Sequence, residues 1–486
     1  MRARIALNDG NRRWWTLAAM CFALFMVMLD NTVVNVALPS IQDDLGASLS
    51  GLEWTVNAYT LAFGVLLVTG GRLGDIFGRR KVFLVGVGVF AASSAFIGFS
   101  QSEAWLIGGR AVQGIGAAFM MPATLSIITH AFPPHERGKA IGTWAGVSAL
   151  ALAIGPVLGG ALVEHVSWQS IFFINLPVAA GALVVTLFAT PESRDETVTR
   201  RVDFAGIAAI TIGLGALTLA LVEANEWGWS SPRILGLAAL AVVGLAVFPL
   251  VERRTTAPMI DFTFFRSRTF LGANIVAFIV SFAMLAMFFF LTLYMQNVLG
   301  FSPLQAGLRF LPTTLMVIIV APIAGRMSDR IGPRPLMTAG LSLVAISLFW
   351  QSFLTADSGF GFLLPGFVLM GIGIALVMSP MSAAAMNAVD KNKAGVASGI
   401  LSMSRMVGGT LGIAVLGAFI GRQGQAGFVQ SLGDGLMIGA AVAAGGAIAA
   451  WTLVSPTLAD TATDPPPPAG EIAAPPADAA REPVGA

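Results

Sequence analysis

One acid stands where hydropathy leaves no room for it. Asp30 lies within the apolar run WWTLAAMCFALFMVMLDNTVVNVAL, from Trp14 to Leu38. A charge that deep in hydrocarbon costs about 2.5–3.5 kcal/mol even on insertion-based scales, so carboxylates in such places mark ion and proton pathways. The chemistry open to Asp30 is reversible protonation, and no other acid is placed by hydropathy well below a membrane surface. Arg110 is its first candidate partner. At 1.5 Å per residue it falls roughly 9 Å from the outer end of its own apolar run, and Asp30 roughly 12 Å from the outer end of its run. An arginine cannot release a proton at accessible pH, so Arg110 would work by setting the charge balance around the carboxylate. The alternative is a structural cation bound to backbone carbonyls.

Other polar and soft side chains suggest a cavity. Asn31, Asn35 and Gln113 neighbour the two charges in sequence, and Met120 and Met284 belong to Met/Phe-rich stretches that could line an adaptable greasy pocket. Arg405 joins them as a cation near mid-membrane in a half whose only acids, Asp329, Asp357, Asp390 and Asp434, sit at span ends. It pairs across the molecule, binds carbonyls, or faces an anionic or polar substrate; the three readings stand level. Arg309 is close enough to a surface to snorkel. Glu53 and Glu223, at span ends, read as interfacial, with the proton path as their alternative. His130, His135 and His165 are far apart, and Cys21 is the only cysteine, so neither a metal set nor a disulfide framework is indicated. No nucleophile motif or phosphate-binding loop is present, which argues against an enzyme or an ATP-driven pump, and no cofactor is expected.

The elements that must hold these residues are membrane helices. Hydrophobic residues make up 56% of the chain and charged residues 11%, against about 25% charged in soluble domains. Apolar runs of about 20 residues, the length of a bilayer span, recur from Trp14 to Leu453. Fourteen can be delimited. With the N-terminus inside, nearly all lysines and arginines fall in inner loops and tails, and only Arg233 and Arg422 in outer loops, which supports an even number of spans with both ends cytoplasmic. The basic residues before Trp14 precede a long run without a small-residue cleavage site, so this is a first helix rather than a leader. Charge is scattered among loops and does not suggest nucleic acid as a partner.

The chain also repeats itself. GRLGDIFGRRK (Gly71 to Lys81) is answered by GRMSDRIGPRP (Gly325 to Pro335), and GIGAAFMMP (Gly114 to Pro122) by GIGIALVMSP (Gly371 to Pro380). The expected organisation is therefore a tail (1–13), a six-helix bundle (14–189), a linker with two extra transmembrane helices (190–269), a second six-helix bundle (270–455) and a Pro/Ala-rich disordered tail (456–486). Two parallel repeats are the layout of a rocking transporter with its site between the halves. In the repeated loop, Gly71 and Gly78 permit a tight turn, while Asp75, Arg79, Arg80, Asp329 and Arg334 can form charge pairs that break as the halves move: a conformational latch, or else a basic anchor with a turn.

These motifs, with LDNTVVNVALPSI, GRAVQGIGAAFMMP and GVSALALAIGPVLGGALVEHVSWQSIFFINLP, resemble the fourteen-helix drug:proton antiporter family of the major facilitator superfamily over nearly the whole chain to about Ser455. The resemblance implies an all-α membrane protein with the major facilitator fold and a proton-coupled antiporter of the cytoplasmic membrane exporting drugs or amphipathic metabolites by alternating access. It further implies that Arg110 serves proton coupling and that Gly155, Pro156, Gly159 and Gly160 form the antiporter helix element; glycines one turn apart would by themselves fit ordinary close helix packing. The partners would be protons, a small amphipathic molecule and the bilayer, with the chain acting as a monomer. A proton-coupled importer and a transport-inactive receptor on the same fold are the competing readings.

Overall fold

The computed structural model describes residues 9–194, 202–255, 258, 260, 262–389, 394–420 and 425–456; the expected tail over 456–486 and Arg422 lie almost wholly or wholly outside them. Every regular element among the described residues is helical. Seven helices form the first bundle: α1 (Asp9–Leu45), α2 (Leu49–Phe77), α3 (Arg79–Gly98), α4 (Glu103–Ala131), α5 (Pro134–His165), and the short α6 (Ser170–Phe173) running into α7 (Asn175–Ala189) as one crossing. Next come α8 (Phe204–Trp227) and α9 (Pro232–Arg254). The second bundle holds α10 (Arg268–Leu293), α11 (Pro303–Arg309) continuing into α12 (Leu311–Ile331), α13 (Pro333–Gln351), α14 (Phe360–Asn387), α15 (Ala394–Phe419) and α16 (Gln425–Leu453).

Thirteen of these helical runs are long and apolar enough to cross a membrane. α13 is the fourteenth crossing by position, and the Pro333-Arg334-Pro335 start of this 19-residue helix dilutes its apolar character. The ends follow local chemistry. Ser48, Ser102, Ser231 and Ser267 each accept a bond from a backbone N–H of the first turn, and Ser302 with Gln305 forms a reciprocal capping box. The turns after α2 and α12 pass through Gly78 (φ 113°) and Gly332 (φ 80°), a backbone region that favours glycine, so the repeated loop repeats its geometry too. α1 continues to Leu45, beyond the end expected at Leu38.

Two apolar cores follow from the repeat. One lies within the first bundle, around Met20, Val27, Phe83, Phe90 and Met120; the other fills the second bundle and reaches across to Leu29 and Val33 of α1. The pair α8–α9 is more than a linker. Its helices meet at Gly213 and Gly244, and α8 touches both bundles, Trp54 of α2 donating to Glu223 (3.1 Å) and Asn225 donating to the Gly417 carbonyl of α15 (3.1 Å).

Taking the face where α1 begins as inner, the bundles meet mainly toward the outer face. A methyl on Gly160 of α5 would fall 2.5 Å from the Pro303 carbonyl, the Pro156 carbonyl lies against Gly307, and Glu164 accepts from the Ser302 hydroxyl (2.6 Å) and the Leu304 N–H (3.0 Å). Toward the inner face α5 leaves its partner: Gly138, Gly142 and Gly146 have nothing within 4 Å of an added Cβ, and the inner turns of α12 are largely exposed. Along α5 and α12 the bundles are closed outside and parted inside, while α2 and α15 stay in contact as far in as Val68 and Gly399.

Candidate functional site

Asp30 and Arg110 are in direct contact. Arg110 Nη1 donates to Asp30 Oδ2 at 2.6 Å, and the residues are 0% and 1% exposed. Helices α1 and α4 bring them together, and three more complete the site. Gln113 Nε2 donates to Asp30 Oδ1 (2.9 Å) and to Ser94 Oγ of α3 (2.9 Å), while its Oε1 accepts from Arg110 Nη1 (2.6 Å). Arg110 Nε donates to the Thr55 carbonyl of α2 (3.0 Å), and the guanidinium lies over the Tyr59 ring, 4.2 Å from its centroid. Asn175, at the start of α7, donates to Asp30 Oδ1 (3.4 Å) and Ser94 Oγ (3.3 Å). Five helices thus converge on one carboxylate and one guanidinium, and breaking such a pair by removing one partner leaves an uncompensated buried charge.

The site lies inside the first bundle rather than in the space between bundles. Asp30 has no solvent contact in this conformation, so the expectation of an acid open to an inter-bundle crevice needs amending: proton exchange requires this network to loosen. Two expected cavity residues move with it. Gln113 is part of the ion-pair network, and Met120, fully buried, packs into the first bundle's core against Gly86 of α3. The remaining cavity candidates stay partly accessible or near the junction. Asn31 is half-buried with Nδ2 on the Val27 carbonyl (2.8 Å), Asn35 is buried with Nδ2 on the Asn31 carbonyl (3.1 Å), and Met284 is half-buried. Arg405 on α15 has no ion pair among the described residues; its one polar contact there is Nη1 to the Met378 sulfur at 3.9 Å, and its Nε is buried without a partner. Next to it, Met406 packs against Gly64 of α2, which sets Arg405 beside the meeting line of the bundles.

The two copies of the loop motif differ. Arg79 forms a two-nitrogen contact with Asp75 (3.0 and 2.8 Å), and Arg80 Nη2 donates to the Leu187 carbonyl (2.8 Å). Gly71 lets α2 approach Pro122 of α4. In the second copy Asp329 is exposed without an ion-pair partner among the described residues, and Arg334 stacks on Trp451 at 4.2 Å. None of these contacts joins the two bundles, so in this conformation the motif ties helices within each half. Gly155 and Gly159 of α5 give α1 room at Thr32 and Val33, whereas Gly160 and Pro156 face α11. The element is therefore a close-packing face shared by both bundles. Arg309 donates to the Gln305 carbonyl (3.0 Å) and stacks on Phe301 (3.6 Å), in keeping with a structural role. Glu53 lies near the outer end of α2, where the sequence placed it, but is 2% exposed, buried against its protein neighbours.

Asn175, Ser94, Thr55 and Tyr59 were not foreseen as members of the site. Asn175 alone carried a signal, as a polar residue opening an apolar run within the INLP stretch.

Comparison with known proteins agrees with this architecture. Residues 20–413 match the family model described as Major Facilitator Superfamily. The tetracenomycin C resistance and export protein of Streptomyces glaucescens is 41% identical over 409 residues, covering 84% of this chain and 76% of that protein. The multidrug resistance protein Stp of Mycobacterium tuberculosis is 38% identical over 406 residues (83% and 75%), and the puromycin resistance protein of Streptomyces alboniger 38% over 410 residues (83% and 81%). Among solved structures, a peptide transporter POT in complex with sulfate superposes with a TM-score of 0.67 at 15% identity, over 93% of this chain and 97% of that one. Paired six-helix bundles, a repeated glycine-acid-arginine loop and these relatives agree: the chain is a transporter of the Major Facilitator Superfamily.

Proposed function

We propose that this transporter exports amphipathic small molecules from the cytoplasm in exchange for protons. The inner-open arrangement presents the space between bundles to the cytoplasm, where a drug or metabolite enters. The bundles then rock, parting α5 from α11 outside, and the substrate leaves. Protonation of Asp30 from the outside removes the charge that holds Arg110, Gln113 and Asn175 in place. Arg110 is then free to re-pair, and this rearrangement favours return; release of the proton inside restores the network. Arg405, a cation near the junction without a described counter-ion, suits an anionic or polar group on the substrate. The charge pattern of the loops supports cytoplasmic ends.

One observation carries the coupling step: a fully buried carboxylate on α1 whose three donors come from two other helices, Arg110 and Gln113 on α4 and Asn175 on α7, so its charge state acts on the packing of the bundle. The names of the relatives support the direction of transport. The test is Asp30→Asn, which keeps the side-chain shape. Inside-out vesicles carrying it should take up substrate no faster under an acid-lumen gradient than without one, while the native protein responds. Equal gradient-driven uptake by both proteins would remove Asp30 from the mechanism, and native uptake only under the opposite gradient would indicate an importer.

A further inference from the structure

Glu53 sits where little water reaches it and no cation among the described residues pairs with it. It lies in the second turn of α2, 2% exposed, and its Oε2 has no hydrogen-bond partner. The carboxyl group fills a notch in the opposite bundle, where any Cβ on Gly417 of α15 would collide with it. Helix α8 closes the third side: Asn225 holds the Gly417 carbonyl, and Glu223 accepts from Trp54, the residue next to Glu53. Among the described residues, the ionisable groups around this point are all acids. Glu223 is the one whose charge reaches Glu53, and Glu226 of α8 and Glu103 of α4 are neighbours of Glu223. The described part of α15 contains no ionisable residue except Arg405, twelve residues and more than three turns away. A carboxylate almost stripped of water, with one oxygen buried and without a donor, is far costlier in such company than the neutral acid.

We propose that Glu53 is a second proton-binding site, built into the outer gate: the proton it takes up from the outside lets α2 close on α15, and it is returned to the outside when they part. This rests on the transport reading only in requiring that the outer side opens. Because the proton enters and leaves on the same side, Glu53 makes gate closure sensitive to external pH without adding to the protons carried across. Closure binds one proton here, so the ratio of outer-closed to outer-open protein rises as pH falls, by up to about tenfold per pH unit.

Distances between spin labels at two exposed outer positions, Val166→Cys in the first bundle and Phe353→Cys in the second, read this ratio in a Cys21→Ser background. The native pair should shift toward the short, closed distance as pH is lowered. In an Asp30→Asn background, where the coupling site no longer titrates, Glu53→Gln should be as closed at high pH as its parent is at low pH, with the slope gone. Gly417→Ala, which crowds the carboxyl from the other side, should move the ratio toward open at every pH. Asp30→Asn should keep the slope, even though export by that variant loses its dependence on the proton gradient, which separates this site from the coupling site. A slope that survives in Asp30→Asn/Glu53→Gln, vanishes in Asp30→Asn, or is absent from the native protein overturns the proposal.

Discussion

At the scale of single residues, the buried pair decides what substitutions do. Asp30 and Arg110 are each nearly the only charge available to the other, and removing one partner of such a pair typically costs about 3–5 kcal/mol. Arg110→Gln should therefore lower the thermal unfolding midpoint of detergent-solubilised protein strongly. The double variant Asp30→Asn/Arg110→Gln, with no unpaired charge, should recover most of that loss while export stays uncoupled from the proton gradient. A double variant no more stable than Arg110→Gln would mean that Arg110 is held by the Thr55 carbonyl and the Tyr59 face alone. The pairing was legible in the sequence because charges inside apolar runs are few and their depths can be compared. Ser94 was not, and Asn175 only by its place at the start of an apolar run, since uncharged polar residues occur throughout membrane helices and one chain does not say which way they point. Met120 was misjudged for the same reason: it is equally apolar whether it meets a substrate or, as it does, Gly86.

At the scale of elements, glycine placement shows which helix surfaces work. On α5 the outer glycines meet Thr32, Val33, Pro303 and Leu304, while the inner ones meet nothing. The helix therefore has a packed half and a free half along one continuous rod. Gly160→Val would press a branched side chain into the α11 backbone, and overpacking of this kind costs about 1–3 kcal/mol. It should disfavour the outer-closed arrangement roughly 5- to 150-fold. Hydrogen exchange checks this: backbone amides of α11 and the outer turns of α5 should exchange faster in Gly160→Val, with the amides around Asp30 unchanged. Uniform acceleration would instead indicate general loss of stability. The GxxxG spacing announced close approach, yet which partner each glycine meets was not readable, because that depends on where α11 begins and how it crosses α5. The short break between α11 and α12 left no mark in hydropathy.

At the scale of the molecule, the asymmetry between faces makes a claim about water. Exposure of inner α5 and inner α12 would be unremarkable if those surfaces met lipid, since apolar surface is as well placed there as in a core. A rocking mechanism instead requires the inner space between bundles to be aqueous and to close when the outer contact opens. Two single-cysteine proteins in a Cys21→Ser background separate these cases: Gly142→Cys, on the unpacked inner half of α5, and Ala306→Cys, fully buried in α11 on the outer side. A membrane-impermeant maleimide added from the cytoplasmic side should label Gly142→Cys readily, which a lipid-facing site would prevent. From the outside, the same reagent should label Ala306→Cys slowly. Supplying a transported drug under a proton gradient should then slow the first reaction and speed the second, because both report one equilibrium between two arrangements of rigid bundles. If the drug changed only one of the two rates, or moved both in the same direction, the bundles would not be exchanging access as units, and the repeat would have to be explained by architecture alone.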